Sequence, residues 1–276
     1  MPELPEVEVV RRGLLNYLPG RTVTGFLSDG KKLRQPVPAD QIEQLLVGAR
    51  ITDISRRAKY LLVHFNNRAI MLLHLGMTGK LGLFPKDAKL KAHDHARWIL
   101  DNDRELRFND VRRFGSISVI TAEETSLLEQ TVFSTAGPEP FSDMFSGPYL
   151  KDKAHKKEQA VKSFIMDSRT VAGVGNIYAN ESLFNAGIRP ARKAGAISEK
   201  RYAVLVEEIR KVLDRAIVCG GSTISDFLNA GGDGGYFQVH FNVYGKTDHP
   251  CPVCSTPIRQ RTIGGRSSFF CPRCQR

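Results

Sequence analysis

No stretch of this 276-residue chain is apolar over the roughly 20 positions that a membrane span needs, which excludes a helical membrane protein. The start also lacks the basic charge and apolar run of a secretory leader; Glu3, Glu6 and Glu8 stand there instead. The expectation is a cytosolic protein. There are no internal repeats and no low-complexity tracts. Acidic residues are scarce in the second half. Residues 149–276 carry 20 basic and 11 acidic side chains, a balance of +9, against 20 and 18 in residues 1–148, a balance of +2. Together they make the overall +11. A localised positive excess draws a polyanion. Nucleic acid is the first candidate, an acidic membrane surface the second, and plain solubility the alternative.

What is present fits a soluble chain long enough for two domains, with 41% hydrophobic and 25% charged residues. All five cysteines lie at or beyond Cys219. Four of them, Cys251, Cys254, Cys271 and Cys274, form two C-x2-C pairs separated by sixteen residues. In a chain without a leader that spacing reads as a zinc site. Four thiolates close the coordination shell, so the metal is structural. Cys219, at a helix end, reads as a small buried hydrophobe.

The opening MPELPEVEVVRRGLL predicts a helix with Pro5 in its first turn and Val10, Leu14 and Leu18 as its apolar stripe. Short strand-like runs follow: RTVTGFL, ARITDIS, KYLLVHF, RAIMLLHL, ARWILD, ELRFND and GSISVIT. They suggest a β-sandwich or barrel. Helices are expected near 39–46 and 123–130, the second with Thr121 and Glu124 in capping-box spacing. The Pro/Gly/Ser-rich stretch 135–148 reads as a linker, and beyond it helices are expected near 158–167, 176–186 and 198–219.

Several residues are placed to do chemistry. Met1 precedes a small residue, so its removal would leave Pro2 with a free secondary amine, a nucleophile toward a sugar C1′. Glu3 and Glu6 could then serve as proton donor and orienting carboxylate; the alternative is a mere helix lead-in. Lys59 opens KYLLVHF on its apolar face, either snorkelling outward or desolvated for proton transfer. NDVRRFGS reads as a hairpin tip carrying Arg112, Arg113 and Phe114, and Met77 is bracketed by Gly76 and Gly79. Such side chains either fold back onto the core or wedge into stacked bases. The Gly-rich turn before Asn176 exposes backbone amides suited to a phosphate. RQRTI, Gly264-Gly265 and RSSFF predict a hairpin with Arg266 immediately beyond its tip.

Together MPELPEVE, RRAKYLL, LHLGMTGKL, NDVRRFGS, GVGNIYANESLF and the terminal C-x2-C…GRSSFFC-x2-CQR resemble the bacterial formamidopyrimidine-DNA glycosylases, in the same order from end to end. Leu4 and Met77 favour the purine-lesion branch over the endonuclease VIII-type relatives. The resemblance implies an α+β multidomain fold: an N-terminal β-sandwich with an N-terminal helix, a C-terminal helix–two-turn–helix domain and a four-cysteine zinc-finger hairpin. The expected boundaries are 1–134, a linker at 135–148, 149–241 and 242–276. It implies a monomer acting on damaged double-stranded DNA in the bacterial cytosol, excising oxidised purines and nicking the strand. Pro2, Glu3, Glu6, Lys59 and Arg266 would be catalytic. Met77, Arg112 and Phe114 would fill the void left by the everted base, and His93, Arg113, Lys162 and Asn176 would hold phosphates. LNAGGDGGYFQ, residues 228–238, resembles a loop that closes over the base. One departure is Glu158, where many relatives carry a third basic residue after Lys156 and Lys157.

Overall fold

Leu4, Val7, Val10 and Leu14 recur at helical spacing, and in the computed structural model they form the buried face of helix α1 (Leu4–Leu15). The helix stops at Leu15, earlier than Pro19 would have stopped it, and Leu18 is buried from the turn beyond. The structure describes residues 2–221 and 241–276. These form two compact units, 2–134 with 220–221 and 135–219 with 241–276.

In the first unit β1 (Val23–Ser28), helix α2 (Ala39–Leu45), β2 (Ile51–Arg57), β3 (Tyr60–Phe65), β4 (Ile70–His74), β5 (Gly79–Pro85), β6 (Asp94–Leu100), β7 (Arg104–Asp110) and β8 (Ser116–Ile120) follow α1. They build two four-stranded antiparallel sheets in the orders β1-β6-β7-β5 and β2-β3-β4-β8. Their apolar faces share one core, with Trp98, Phe108, Leu61 and Val63 fully enclosed. β5 has no counterpart among the expected strands, because Gly79 and Gly82 dilute its alternation. The helix expected at 123–130 is two single turns, α3 (Ala122–Thr125) and α4 (Leu128–Thr131), separated at Ser126 and Leu127. The Thr121–Glu124 capping box does start the first of them.

The second unit holds α5 (Gly147–Lys153), α6 (Val161–Met166), α7 (Asn176–Asn185) and α8 (Glu199–Val218), then the hairpin of β9 (Arg259–Ile263) and β10 (Arg266–Phe270). Helix α6 begins later than expected, at Val161, and α5 is an addition started by the Ser146 cap and Pro148. The Pro/Gly/Ser-rich stretch 135–148 falls within the second unit and is held down. Phe145 is fully buried, and Arg210 donates to the carbonyls of Pro140, Ser142 and Phe145 at 2.9, 3.0 and 2.8 Å. Cys219 is half-exposed at the end of α8, not buried, because the helix terminates there. No helix among the described residues is long and apolar enough to cross a membrane.

Helix α1 is bolted to the second sheet by charge. The Glu8 carboxylate accepts from Arg11 at 2.8 and 2.9 Å, Arg12 at 2.9 Å and Arg56 at 3.2 Å, and Arg56 passes on to the Ala58 carbonyl at 3.0 Å. Burial alone would raise this carboxyl. Hydrogen bonds from Arg11 and Arg12, with the charges of Arg11 and Arg56, outweigh it and bring the pKa down to about 2. The folded value lies below the unfolded one, so the stabilisation is complete above about 4.5 and is lost as pH falls toward 2. Glu8→Gln should therefore lower unfolding free energy at pH 7 by on the order of 2 kcal/mol, since it removes the charge that the half-buried Arg11 and Arg56 guanidinium groups share. Urea titrations should show the two proteins converging as pH drops from 4.5 to 2.

Candidate functional site

A chain terminus ordinarily frays. Here Glu3 is the N-cap of α1 and forms a reciprocal capping box with Glu6. The Glu3 side chain accepts the Glu6 backbone N–H, and Glu6 Oε2 accepts the Glu3 N–H at 2.8 Å. Both carboxylates are buried, at 2% and 3% exposure, and Pro2 is buried beside them. Two residues that a helix does not need are thus built into the protein. The result is a proline at a fixed point, next to a carboxylate whose backbone cannot swing away.

Lys59 is not on the apolar face of a strand. The pairing of Arg57 with Tyr60 leaves Ala58 and Lys59 as a two-residue turn, with Ala58 at a φ of 53°, and Lys59 is half-exposed there. Its charge is felt by His74 at the end of β4. Burial first, then Lys59 and Arg34, push the His74 pKa down to about 4. The imidazole is neutral at pH 7, and its Nδ1 accepts the Gly76 N–H at 3.0 Å.

The stretch NDVRRFGS is not a hairpin tip. β7 and β8 belong to different sheets, so residues 111–115 cross from one to the other. Residues 75–78 make the corresponding crossing between β4 and β5. The two crossings are bracketed by the pairs His74–Ser116 in one sheet and Gly79–Asp110 in the other, and they run side by side. A Cβ on Gly76 would lie 2.4 Å from the Phe114 carbonyl carbon, so only glycine permits the approach. Met77 is half-exposed, Phe114 is 45% exposed, and the Arg112 guanidinium lies 4.7 Å over the Phe114 ring. Neither apolar side chain is folded away. Arg113 and His93 are exposed at φ values of 56° and 73°.

In the second unit the four cysteine Sγ atoms lie within 4.8 Å of one another. Separations of 3.9, 3.5 and 3.4 Å are recorded along three edges. A tetrahedron with Zn–S bonds of about 2.3 Å has edges of about 3.8 Å, so the cluster fits one structural zinc. Gly264 and Gly265, at φ values of 56° and 72°, turn the hairpin as expected, and Arg266 projects exposed beyond the tip. Lys162 lies inside the second unit. It is 1% exposed, and its ammonium donates to the Ser267 carbonyl and Ser268 Oγ, both at 2.7 Å, so it braces β10 instead of meeting solvent. Asn176 opens α7 after Gly173 and Gly175, half-exposed, with Oδ1 buried and without a hydrogen-bond partner. Glu158 pairs with Lys193 on the surface. The stretch 228–238 lies outside the described residues.

Among the buried groups that a reading of motifs leaves unassigned are Glu8, Asp110, Asn180 and Glu181. Asn180 Oδ1 accepts the Phe269 N–H at 2.8 Å. Glu181 accepts three successive backbone N–H groups, from Asn242, Val243 and Tyr244, at 2.7 to 2.9 Å. These two residues seat the cysteine module on α7. An Asn-Glu pair at the centre of the apolar run IYANESLF is the only signal the sequence offers for them.

Family models match three successive stretches of the chain. Residues 1–117 match the formamidopyrimidine-DNA glycosylase N-terminal domain, 136–228 the formamidopyrimidine-DNA glycosylase H2TH domain, and 248–276 the zinc finger found in FPG and IleRS. The formamidopyrimidine-DNA glycosylase of Stenotrophomonas maltophilia is 49% identical over 278 residues, and that of Marinobacter nauticus 46% over 276, each covering both chains completely. Among solved structures, wild-type Lactococcus lactis Fpg bound to DNA containing N7-benzyl-Fapy-dG superposes with a TM-score of 0.90 at 33% identity over the full length of both chains. Lactococcus lactis Fpg with DNA containing an abasic site gives 0.89 at 32% identity over 99% of each.

Removing the zinc should release the hairpin, because four thiolates and a small apolar cluster are its foundation. Hydrogen exchange after chelation should show loss of protection at residues 259–270 and retention at Tyr60–Phe65. Retained protection in the hairpin would mean that Asn180 and Lys162 hold it without metal.

Proposed function

Because the chain belongs to the formamidopyrimidine-DNA glycosylase family, we propose that it excises oxidised purines, 8-oxoguanine and formamidopyrimidines, from damaged double-stranded DNA and then cleaves the strand. The observation that carries the reading is the Glu3–Glu6 capping box, which makes the chain start a rigid part of the protein. Once Met1 is removed, the Pro2 nitrogen is a secondary amine. Its lone pair attacks C1′ of the everted nucleotide, the C1′–N bond breaks, and the base leaves with a proton. Glu3 donates a proton to the ring oxygen as the sugar opens, and Glu6 keeps Glu3 in place.

The product is an iminium at C1′. It acidifies the C2′ proton; removal of that proton expels the 3′ phosphate, and a second elimination expels the 5′ phosphate. Neither step needs a redox cofactor. Lys59 serves proton transfer and the lesion phosphate, and Arg266 supports the second elimination and grips the strand. Met77, Arg112 and Phe114 occupy the gap left in the stack. His93, Arg113 and Asn176 contact phosphates. Lys162 acts on the strand indirectly, by bracing the segment beside Arg266. The zinc makes that hairpin stiff and has no open position for chemistry. The enzyme works as a monomer in the bacterial cytosol.

Borohydride reduces an iminium to a stable amine, so incubation with duplex 8-oxoguanine DNA should yield a covalent complex whose attached residue maps to Pro2. An uncleaved extension ahead of Pro2 turns the amine into an amide and should abolish both trapping and excision. Trapping that persists with the extension present would overturn the mechanism. Affinity for duplex should fall steeply with added salt, because the basic C-terminal half displaces counterions from the backbone. A flat response would count against that half as the DNA-gripping surface.

A further inference from the structure

We propose that Asp110 is a positioning residue which, through the Thr78 hydroxyl, fixes the spacing of the two crossing turns that carry Met77, Arg112 and Phe114. This rests on the function proposed above. Asp110 is fully buried at the end of β7. Its Oδ1 accepts the Thr78 hydroxyl at 2.5 Å and the Arg112 N–H at 3.3 Å, and its Oδ2 accepts the Gly115 N–H at 2.7 Å. Thr78 Oγ1 in turn accepts the Arg112 N–H at 3.1 Å. One carboxylate therefore holds the end of the 75–78 crossing and, at Arg112 and Gly115, both parts of the 111–115 crossing.

The backbone of Asp110 is engaged as well. Its N–H donates to the His93 carbonyl at 3.1 Å, and its carbonyl accepts from His95 Nε2 at 2.9 Å and from the Arg113 N–H at 3.2 Å. His95, 1% exposed, is itself held through Nδ1 by Asp29 Oδ2 at 2.8 Å. The anchor is thus rigid from below. Strand pairing reaches Gly79 and Asp110 from one sheet and His74 and Ser116 from the other, and the ladders stop at those pairs. Between them the spacing of the two turns is set by the carboxylate, the Thr78 hydroxyl and the bare approach of Gly76 to Phe114. Side chains inserted into a base stack are pushed back by it, and a wedge made from two separate turns works only if the turns cannot be driven apart.

The chemistry of the anchor matters. An asparagine has the same shape but offers one acceptor oxygen and one NH2 group. It cannot accept from Thr78 or Arg112 and from Gly115 at once. A valine at position 78 removes the link between the turns and leaves the carboxylate in place.

Thr78→Val, Thr78→Ser and Asp110→Asn are compared with the parent protein in single-turnover assays on two substrates. One is duplex DNA with 8-oxoguanine opposite cytosine; the other is single-stranded DNA with a preformed abasic site, which has no opposing stack to be wedged. Thr78→Val should slow duplex excision by about tenfold, through loss of the hydroxyl's hydrogen bond to a charged group while the Arg112 N–H keeps Asp110 as acceptor. Cleavage of the single strand should stay within about twofold of the parent, and Thr78→Ser should restore duplex excision. Asp110→Asn should exceed Thr78→Val in the duplex defect. Equal losses on both substrates, or duplex excision by Thr78→Val at the parental rate, would overturn the proposal. Failure of the parent protein to act on either substrate would instead overturn the function on which it rests.

Discussion

A carboxylate taken out of water must be met by donors, and at several places this protein meets one with backbone, hydroxyl or guanidinium groups of the segment it holds. Desolvating an unpartnered carboxylate costs several kcal/mol or more, so a chain that buries one accepts only conformations that supply its partners. Glu3 and Glu6 do this for the first residues, Glu8 for the seat of α1 on the second sheet, Asp110 for the crossing turns, and Glu181 for the entry to the cysteine module. Apolar burial builds the two cores. It is non-directional, and it could not by itself set the place of a terminus or the spacing of a turn to a fraction of an ångström.

The proposed chemistry demands this kind of placement. An amine that bonds a sugar carbon must be available at a fixed position without a preceding residue to hold it, which is the situation in which chains are least ordered. The capping box answers it with two hydrogen bonds inside one helical turn. Lys59 is treated alike: it sits in a two-residue turn, and the carbonyl of its neighbour Ala58 is gripped by Arg56, which is gripped by Glu8. The N-terminus and the Lys59 turn are therefore parts of one ion-paired frame. A neutral His74, too poor a base to protonate at pH 7, adds an acceptor for Gly76 without adding charge near Lys59.

Much of this is legible in the order of residues. Local rules cover short-range elements: the start of α1, the Thr121–Glu124 box, the Gly264-Gly265 turn, the four thiolates and seven of the eight strands of the two sheets. Long-range pairing was not legible. NDVRRFGS has a hairpin's composition because turn residues look alike whether the chain returns to the same sheet or crosses to the next; only the pairing of β7 with β5 and β6, and of β8 with β4, distinguishes them. β5 escaped because glycines that make room for a neighbour also erase alternation. The burial of Lys162 was not legible either, because a lysine's burial depends on what lies opposite, here a strand more than a hundred residues later.

The order of residues alone carries the chemistry in hand: a proline that can carry an amine, carboxylates one turn apart, a four-thiolate metal site, and cations concentrated toward the C-terminus. These are properties of residue type and close spacing, and they survive any fold that keeps neighbours together. The tertiary structure decided which carboxylates are buried and what they grip, that Met77 and Phe114 lie on adjacent crossings, and that Lys162 braces a strand. Each of those depends on segments far apart in the chain arriving at one place, and burial and hydrogen-bond partners exist only once they have.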